Sequence, residues 1–526
     1  MATRMEAIGL AGRESDAATR EVAAVPAADR RASLLDSRLL ALSLLAVFAF
    51  VFLVQAAPRI VAPFGDSHDG ENGTVWGFAS RAIREDGFVA SRGGALLADG
   101  QGLYAHHPPL IAVETAVGES IVGEHPASTR APAWVGSLVS IMLLYVLLRT
   151  LGFRRVPSAV AVLFSLSCPL FLLYGSMLDT LQIALPLVLG FLIVRARAES
   201  GRQTPRAGEF CVAALVVLSS WEGALLCALF ASVDVVSALR KTKRFRPSAT
   251  TGGLITGLTL IACWLWWANG SFAQIVEQAR LRSGNGGRTV SWPSFLNTQG
   301  VYLGVVVGPV ILITGAVGLV LALRTLRRKQ VMACTTAVVL AYPVLMRDGA
   351  VNHDYWNYWL LIPLGFGVAH VAQKALIGLA TRYRSEYLAV GVILTACVAS
   401  LGIAVFSTNP ARDQFDAGLN AQRLARNMAL ERPSGPIFTT TKYVHWANYS
   451  LSTRPRLRLL VTTRLNEEAA QYPHGLVLVK CSRRPASLDT ICDQHPSQDY
   501  FVVRLTALQK RVQRESLTRT LRSPLR

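Results

Sequence analysis

Long apolar runs separated by short basic ones organise this chain from residue 39 to residue 406. Runs at 39–57, 135–148, 252–267, 301–323 and 388–406 are almost free of charge. A helix needs roughly 20 such residues to cross a bilayer. Between the runs, arginine and lysine collect: Arg30, Arg31 and Arg38; Arg149, Arg154 and Arg155; Arg195, Arg197, Arg202 and Arg206; "RKTKRFR" at 240–246; "RTLRRK" at 324–329; then Lys374, Arg382 and Arg384. Cationic loops are retained on the cytoplasmic side. Placing every cluster there predicts about eleven spans: 39–57, 131–148, 156–173, 180–195, a hairpin over 208–238 turning near Trp221, 250–268, 299–323, 331–346, 356–373 and 386–406. Residues 1–38 then form a cytoplasmic tail, and 407–526 end outside. The tail is rich in Ala and Arg without periodicity and reads as disordered. Its length argues against a cleaved signal peptide.

Composition agrees. The chain is 52% hydrophobic and 16% charged, against about 25% charged in soluble domains. The net charge of +20 is accounted for by the orienting clusters, so nucleic acid is not an expected partner. No P-loop, G-x-G-x-x-G or G-x-S-x-G occurs, which leaves nucleotide-driven transport and serine hydrolysis without support. The fold class expected is a multi-pass α-helical bundle in a bacterial-type cell membrane, with a small α/β or mostly β C-terminal domain. Alternating strands at 435–441, 474–480 and 499–505 carry that last expectation. Six cysteines (Cys168, Cys211, Cys227, Cys263, Cys334, Cys397) fall in apolar spans and read as small core residues. Cys481 and Cys492 fall outside, where a disulfide is compatible with an oxidising compartment. The basic end, 509–526, suits anionic headgroups.

With the sides assigned, the remaining ionisable residues gather on the outer face. "GDSHDGENG" (65–73) follows the first span and holds Asp66, His68, Asp69 and Glu71. "YAHHPPL" (104–110) follows with Tyr104, His106 and His107, stiffened by two prolines that no helix interior accepts. Asp179 in "YGSMLDT", Glu222 in "WEG" and "RDGAVNHDYWNYW" (347–359) complete the set. Ionisable groups near a bilayer are costly, and their convergence from five loops points to a site.

These motifs resemble a known family. "GDSHDGENGTVWGFASRAIREDG", "YAHHPPL", Arg130 opening the second span, and "HDYW" (353–356) followed by "LLIPLGFG" are similar to the GT-C polytopic glycosyltransferases. The nearest likeness is to family 39, which holds protein O-mannosyltransferases and the aminoarabinose transferase of lipid A. The resemblance covers 39–406. It implies transfer of a sugar from a polyprenyl-phosphate donor to a lipid, glycan or protein acceptor on the outer face, by an inverting route. It also implies a catalytic aspartate in the first outer loop. "D-x-H-D-G" departs from the family's usual "D-E" pair; Asp66, nearer the span, is the favoured base, with Asp69 beside it.

The other candidates are substrate contacts. His106 or His107, and His353 at the other end of the domain, would donate hydrogen bonds to phosphate or acceptor. Tyr355 completes the H-x-Y element, although Tyr355, Trp356, Tyr358 and Trp359 together read as an interfacial belt. Arg282 and Arg288 in "RLRSGNGGRT" either clamp phosphate or belong to a solvated loop. Asp66, His68, Asp69 and Glu71 offer oxygen and nitrogen ligands for a divalent cation, but their spacing matches no metal motif. Two other classes stay open: a lipid-linked saccharide flippase and a non-catalytic lipid-binding relative. A flippase would place its charges near the midplane, on broken helices in repeated halves. Here they lie at span ends, and no internal repeat is evident.

Overall fold

The computed structural model describes residues 33–65, 67–96, 104, 105, 107–202, 204–242, 247–268, 272–284, 290–326 and 329–408. In the C-terminal region it describes 424, 437–439, 458–459, 465–472, 474, 476–480, 500–510 and 513. Asp66, His106, Arg288, Cys481, Cys492, most of the tail and most of the basic end lie outside these residues.

Helix α1 (Arg38–Val61) leaves the tail and is followed by α2 (His68–Ala90) and α3 (Leu110–Val122). Then come α4 (Ala131–Thr150), α5 (Arg155–Leu166), α6 (Pro169–Tyr174), α7 (Thr180–Glu199), α8 (Arg206–Ser219), α9 (Trp221–Thr242) and α10 (Ala249–Trp267). The second half has α11 (Phe272–Arg282), α12 (Trp292–Tyr302), α13 (Pro309–Thr325), α14 (Gln330–Leu345), α15 (Leu361–Tyr383) and α16 (Glu386–Ser407). Each expected span is helical among the described residues. Among the described residues, seven segments are long and apolar enough to cross by themselves, and the bent pair α12–α13 makes up to eight. α5 and α14 are shorter apolar helices.

The bend has a local cause. Leu303–Val307 winds as a π turn, and Gly308 follows at φ 86°, a left-handed conformation that a residue with a Cβ strains to adopt. Pro309 then starts α13 at the one helical turn that tolerates proline. The second arm is bent by 102° from the direction of the first.

One continuous apolar core joins the helices, with Phe48 and Phe52 of α1 packed on Phe171 of α6. Outward faces stay apolar, as at Phe50, Ile313 and Phe406, which a surrounding lipid solvent permits and water does not. Cys211 and Cys263 belong to those outward faces instead of the core, whereas Cys168, Cys227, Cys334 and Cys397 are buried as expected. At the far end of α7, Arg195 bonds Glu209 (2.8 Å), Asp234 (2.6 Å) and Thr250 (3.2 Å), tying α7 to α8, α9 and α10. The C-terminal region carries a four-stranded sheet in the order β2-β1-β3-β4: β1 (Ile437–Thr439), β2 (Arg458–Leu459), β3 (Leu476–Lys480) and β4 (Tyr500–Arg504). β1 runs parallel to β2 and β3, and β3 antiparallel to β4. Three of these strands fall where alternation predicts them.

Candidate active site

The acidic motif is the start of a helix. Ser67 caps α2 by accepting from the Gly70 amide at 3.1 Å, which leaves His68, Asp69 and Glu71 in the first turn, where the helix dipole favours negative charge. Gly70 is required there, because a Cβ would overlap the Gly65 carbonyl oxygen. The motif is thereby folded tightly against the end of α1.

Asp69 is held from behind. Arg130 grips its carboxylate with Nε at 3.1 and 3.2 Å and Nη2 at 2.5 Å. Nη1 of the same guanidinium donates to the carbonyls of Ala62 (2.6 Å) and Ile60 (3.3 Å), and its Cζ lies 4.2 Å from the Phe64 ring centroid. Arg130 is 1% exposed. Expected to contact substrate, it instead bolts the starts of α2 and α4 to the end of α1, because all its donor directions but one are spent inside the protein. Asp69 is its counter-ion.

The H-x-Y element reaches the same place from the other end of the domain. The His353 ring lies 5.3 Å from that of His68 and 5.4 Å from that of Tyr355, and it stacks on Trp356 at 4.9 Å. Its Nδ1 sits 2.8 Å from the Gly349 carbonyl. Burial pushes the His353 imidazole down to about 4, with His68 adding to the effect, so the ring is neutral at pH 7. The expected belt is overturned: Tyr355, Trp356, Tyr358 and Trp359 are all buried. Trp359 donates to the Leu181 carbonyl (2.9 Å), and the Tyr358 hydroxyl meets Ser137 (3.2 Å). Such internal partners are what a buried tyrosine or tryptophan needs.

Two cavities flank this His68–His353–Tyr355 partition. The smaller, about 60 Å³, is polar and is lined by Asn72, Trp76, Tyr104, His107, Asp179, Glu222, Arg282, Tyr342, His353 and Tyr355, among others. Asp179 caps α7, accepting from the Leu181 amide (3.2 Å), while its second oxygen takes the Asn72 amide at 2.8 Å. Burial holds the Asp179 carboxyl above its usual range. Glu222, at the start of α9, is buried and shares this cavity with Tyr342. The Arg282 guanidinium lies 5.4 Å from the Trp356 ring centroid. His107 and Tyr104 close one wall against Trp76, at 5.9 and 5.5 Å. Behind that elbow, Glu119 of α3 accepts from Ser80 and Thr129 (both 2.5 Å) and pairs with Arg84 (3.1 Å), fixing α3 against α2. The "PPL" elbow is thus a positioned wall.

The larger cavity, about 250 Å³, is lined by Arg59, Gly65, Ser67, His68, Asp69, Tyr174, Asp354, Val305, Val306 and Ser407, among others. The Tyr174 hydroxyl donates to Asp354 at 2.7 Å. Gly65 and Ser67 are the chain neighbours of Asp66.

Most candidates therefore converge: His68, Asp69, Tyr104, His107, Asp179, Glu222, Arg282, His353 and Tyr355 line one cavity or the other. Arg130 and Glu71 line neither. Arg59, Asn72, Tyr174, Tyr342 and Asp354 are additions to the sequence reading. Arg59 had a usable signal, being a cation in the last turn of an apolar span. For a divalent cation, the described residues hold no group of three or more His, Cys, Asp or Glu placed to bind one; Asp69 is committed to Arg130.

The architecture matches solved membrane proteins. ArnT from Cupriavidus metallidurans in the apo state superposes with a TM-score of 0.59 at 12% identity, covering 89% of this chain and 98% of that one. The same protein bound to undecaprenyl phosphate gives 0.60 at 12%, covering 89% and 97%. The apo oligosaccharyltransferase of Archaeoglobus fulgidus gives 0.51 at 11%, covering 85% and 70%. The chain has the GT-C fold. Residues 106–267 also match the family model described as dolichyl-phosphate-mannose-protein mannosyltransferase. No curated protein matches the sequence.

Proposed function

We propose that this GT-C protein is a glycosyltransferase that moves a sugar from a polyprenyl-phosphate carrier to an acceptor hydroxyl on the extracytoplasmic face. The observation that carries the reading is the polar cavity: Asn72, Asp179, Glu222 and Tyr342, from four separate helices or helix ends, surround one space beside the acidic motif. Carboxylates and amides in a cavity beside lipid suit a hydroxyl-rich sugar, which demands many acceptors and gains little from apolar walls. The crystal structure of the GT-C neighbour with undecaprenyl phosphate supports the carrier class.

Asp66, as base, takes the proton from the acceptor hydroxyl as its oxygen bonds to the anomeric carbon. The bond from that carbon to the phosphate oxygen breaks, and polyprenyl phosphate leaves with the electron pair. Attack from the face opposite the phosphate inverts the centre. Cationic groups and neutral donors are needed where charge grows on the phosphate; Arg282, His107 and neutral His353 are the nearby donors. Asp179 and Glu222 accept from the sugar hydroxyls.

The test is transfer in liposomes from a panel of undecaprenyl-phosphate-linked sugars. Asp179→Asn and Glu222→Gln should each lower kcat/KM by about tenfold or more, the scale of a lost charge-assisted hydrogen bond. A wild-type protein that releases no undecaprenyl phosphate from any donor would refute the proposal. Sidedness has its own check. Reporters fused after Arg155, Arg246 or Lys329 should read cytoplasmic, and after Gly100, Gly286 or Pro410 external. A cytoplasmic signal at Gly100 would put the acidic motif on the wrong face.

A further inference from the structure

His353 stands at a break in the chain. The short helix Arg347–Asn352 ends before it, a 3₁₀ turn (Asp354–Leu360) begins after it, and its own backbone is extended at φ −134° and ψ 91°. No continuous helical ladder therefore fixes the direction of its side chain. Its ring nevertheless lies at the partition, meeting His68 and lining the polar cavity.

Side chains replace the missing ladder. A helix end leaves its last carbonyls without amide partners, and here three in a row are met by side chains. The Gly349 carbonyl lies 2.8 Å from Nδ1 of His353, the Ala350 carbonyl accepts from Gln299 Nε2 at 2.9 Å, and the Val351 carbonyl accepts from the Tyr302 hydroxyl at 2.6 Å. Gln299 also reaches across the break. Its Oε1 accepts from Nδ2 of Asn357, in the 3₁₀ turn, at 2.9 Å. One amide thus ties both sides of residue 353. Gln299 and Asn357 are both buried, so losing either bond leaves polar groups that water cannot satisfy. Gln299 and Tyr302 lie three residues apart on one edge of α12, while Leu296 and Val301 of the same helix are exposed. A buried amide on so apolar a helix is costly unless fully bonded, and what it bonds is the turn that carries His353.

We infer that Gln299 is a positioning residue for the candidate site: by bridging Ala350 and Asn357 it sets the direction in which His353 and Tyr355 project between the two cavities. Gln299 lines neither cavity, so it acts only through the turn. Its effect on turnover rests on the transferase reading, in which the reacting carbon of the sugar lies at the partition. A misplacement of about 1 Å there is enough to cost about a hundredfold. Its effect on the His353 ring does not rest on that reading. The ring is neutral chiefly because it is buried, and His68 of α2 and Arg282 of α11 add to the effect. Tyr104, His107, Asp179, Glu222, Tyr342 and Tyr355 are the other ionisable groups lining the same cavity. A turn released from Gln299 admits water to the ring, which weakens the largest of these causes and moves the imidazole back towards its ordinary value.

The experiment follows the His353 ring by NMR in histidine-labelled protein held in nanodiscs, with His353→Gln identifying its signal, and measures sugar transfer in parallel. Gln299→Met keeps the length of the side chain and removes both hydrogen bonds. It should raise the His353 pKa from about 4 to about 5 or higher. It should also lower kcat by about tenfold to a hundredfold, with donor KM changing less. Tyr302→Phe removes one carbonyl partner and leaves the bridge in place, so it should move both quantities the same way by a smaller amount. It carries the test if Gln299→Met fails to fold. A wild type that transfers no sugar from any donor would refute the transferase reading, and the ring titration would still decide the clamp. A His353 pKa that stays at its wild-type value in both variants overturns the inference, even if melting temperature and turnover fall, because Gln299 would then only hold the fold together. A raised pKa with unchanged kcat overturns it too, since the turn would move without the site depending on it.

Discussion

Asp66→Asn should reduce turnover by about a hundredfold to ten-thousandfold, the range supplied by a positioned general base. Asparagine keeps the size and hydrogen bonding of the side chain and removes only its basicity. Protein level, melting temperature and undecaprenyl phosphate binding should therefore stay near wild type, with the loss confined to kcat. The chain on either side supports the choice: Gly65 and Ser67 both line the larger cavity, next to the partition where the sugar carbon would lie. Asp69 competes poorly for the role, since its carboxylate already takes three contacts from Arg130. Full activity in both Asp66→Asn and Asp69→Asn would remove this loop from catalysis and leave it as scaffold.

What could be read from residues alone follows a physical division. Helices long and apolar enough to cross were legible because each needs a long apolar run. The hairpin expected to turn near Trp221 does so, with α8 ending at Ser219 and α9 starting at Trp221. The acidic motif, the elbow and H-x-Y were legible as polar islands at span ends. Three things were not. The α12–α13 bend hides inside one apolar run, marked only by the pair Gly308-Pro309. The aromatics at 355–359 have the composition of a belt, and only the helices packed around them decide that they are buried. The pairing of Asp69 with Arg130 spans 61 positions. Charge alone does not tell a bolt from a substrate contact at Arg130.

The Asp69–Arg130 pair should prove structural when taken apart one side at a time. Arg130→Met leaves a carboxylate facing Phe64 and the end of α1 without its partner. Asp69→Asn leaves a guanidinium that is 1% exposed with two carbonyls and a neutral amide. Removing one member of a buried pair costs about 3–5 kcal/mol, whereas replacing both with apolar groups of similar volume is often close to neutral. Asp69 is only partly buried, so the lower end of that range is expected for it and the upper end for Arg130. In a double-mutant cycle, Asp69→Leu with Arg130→Met should lose clearly less than the two single changes added together, a coupling that only groups in direct contact show. The readout is thermal unfolding in detergent, with undecaprenyl phosphate binding measured in parallel. A catalytic Asp69 would give the reverse pattern: Asp69→Asn would melt like wild type and lose turnover alone. That outcome would move the general base from Asp66 to Asp69 and make Arg130 the residue that sets its charge.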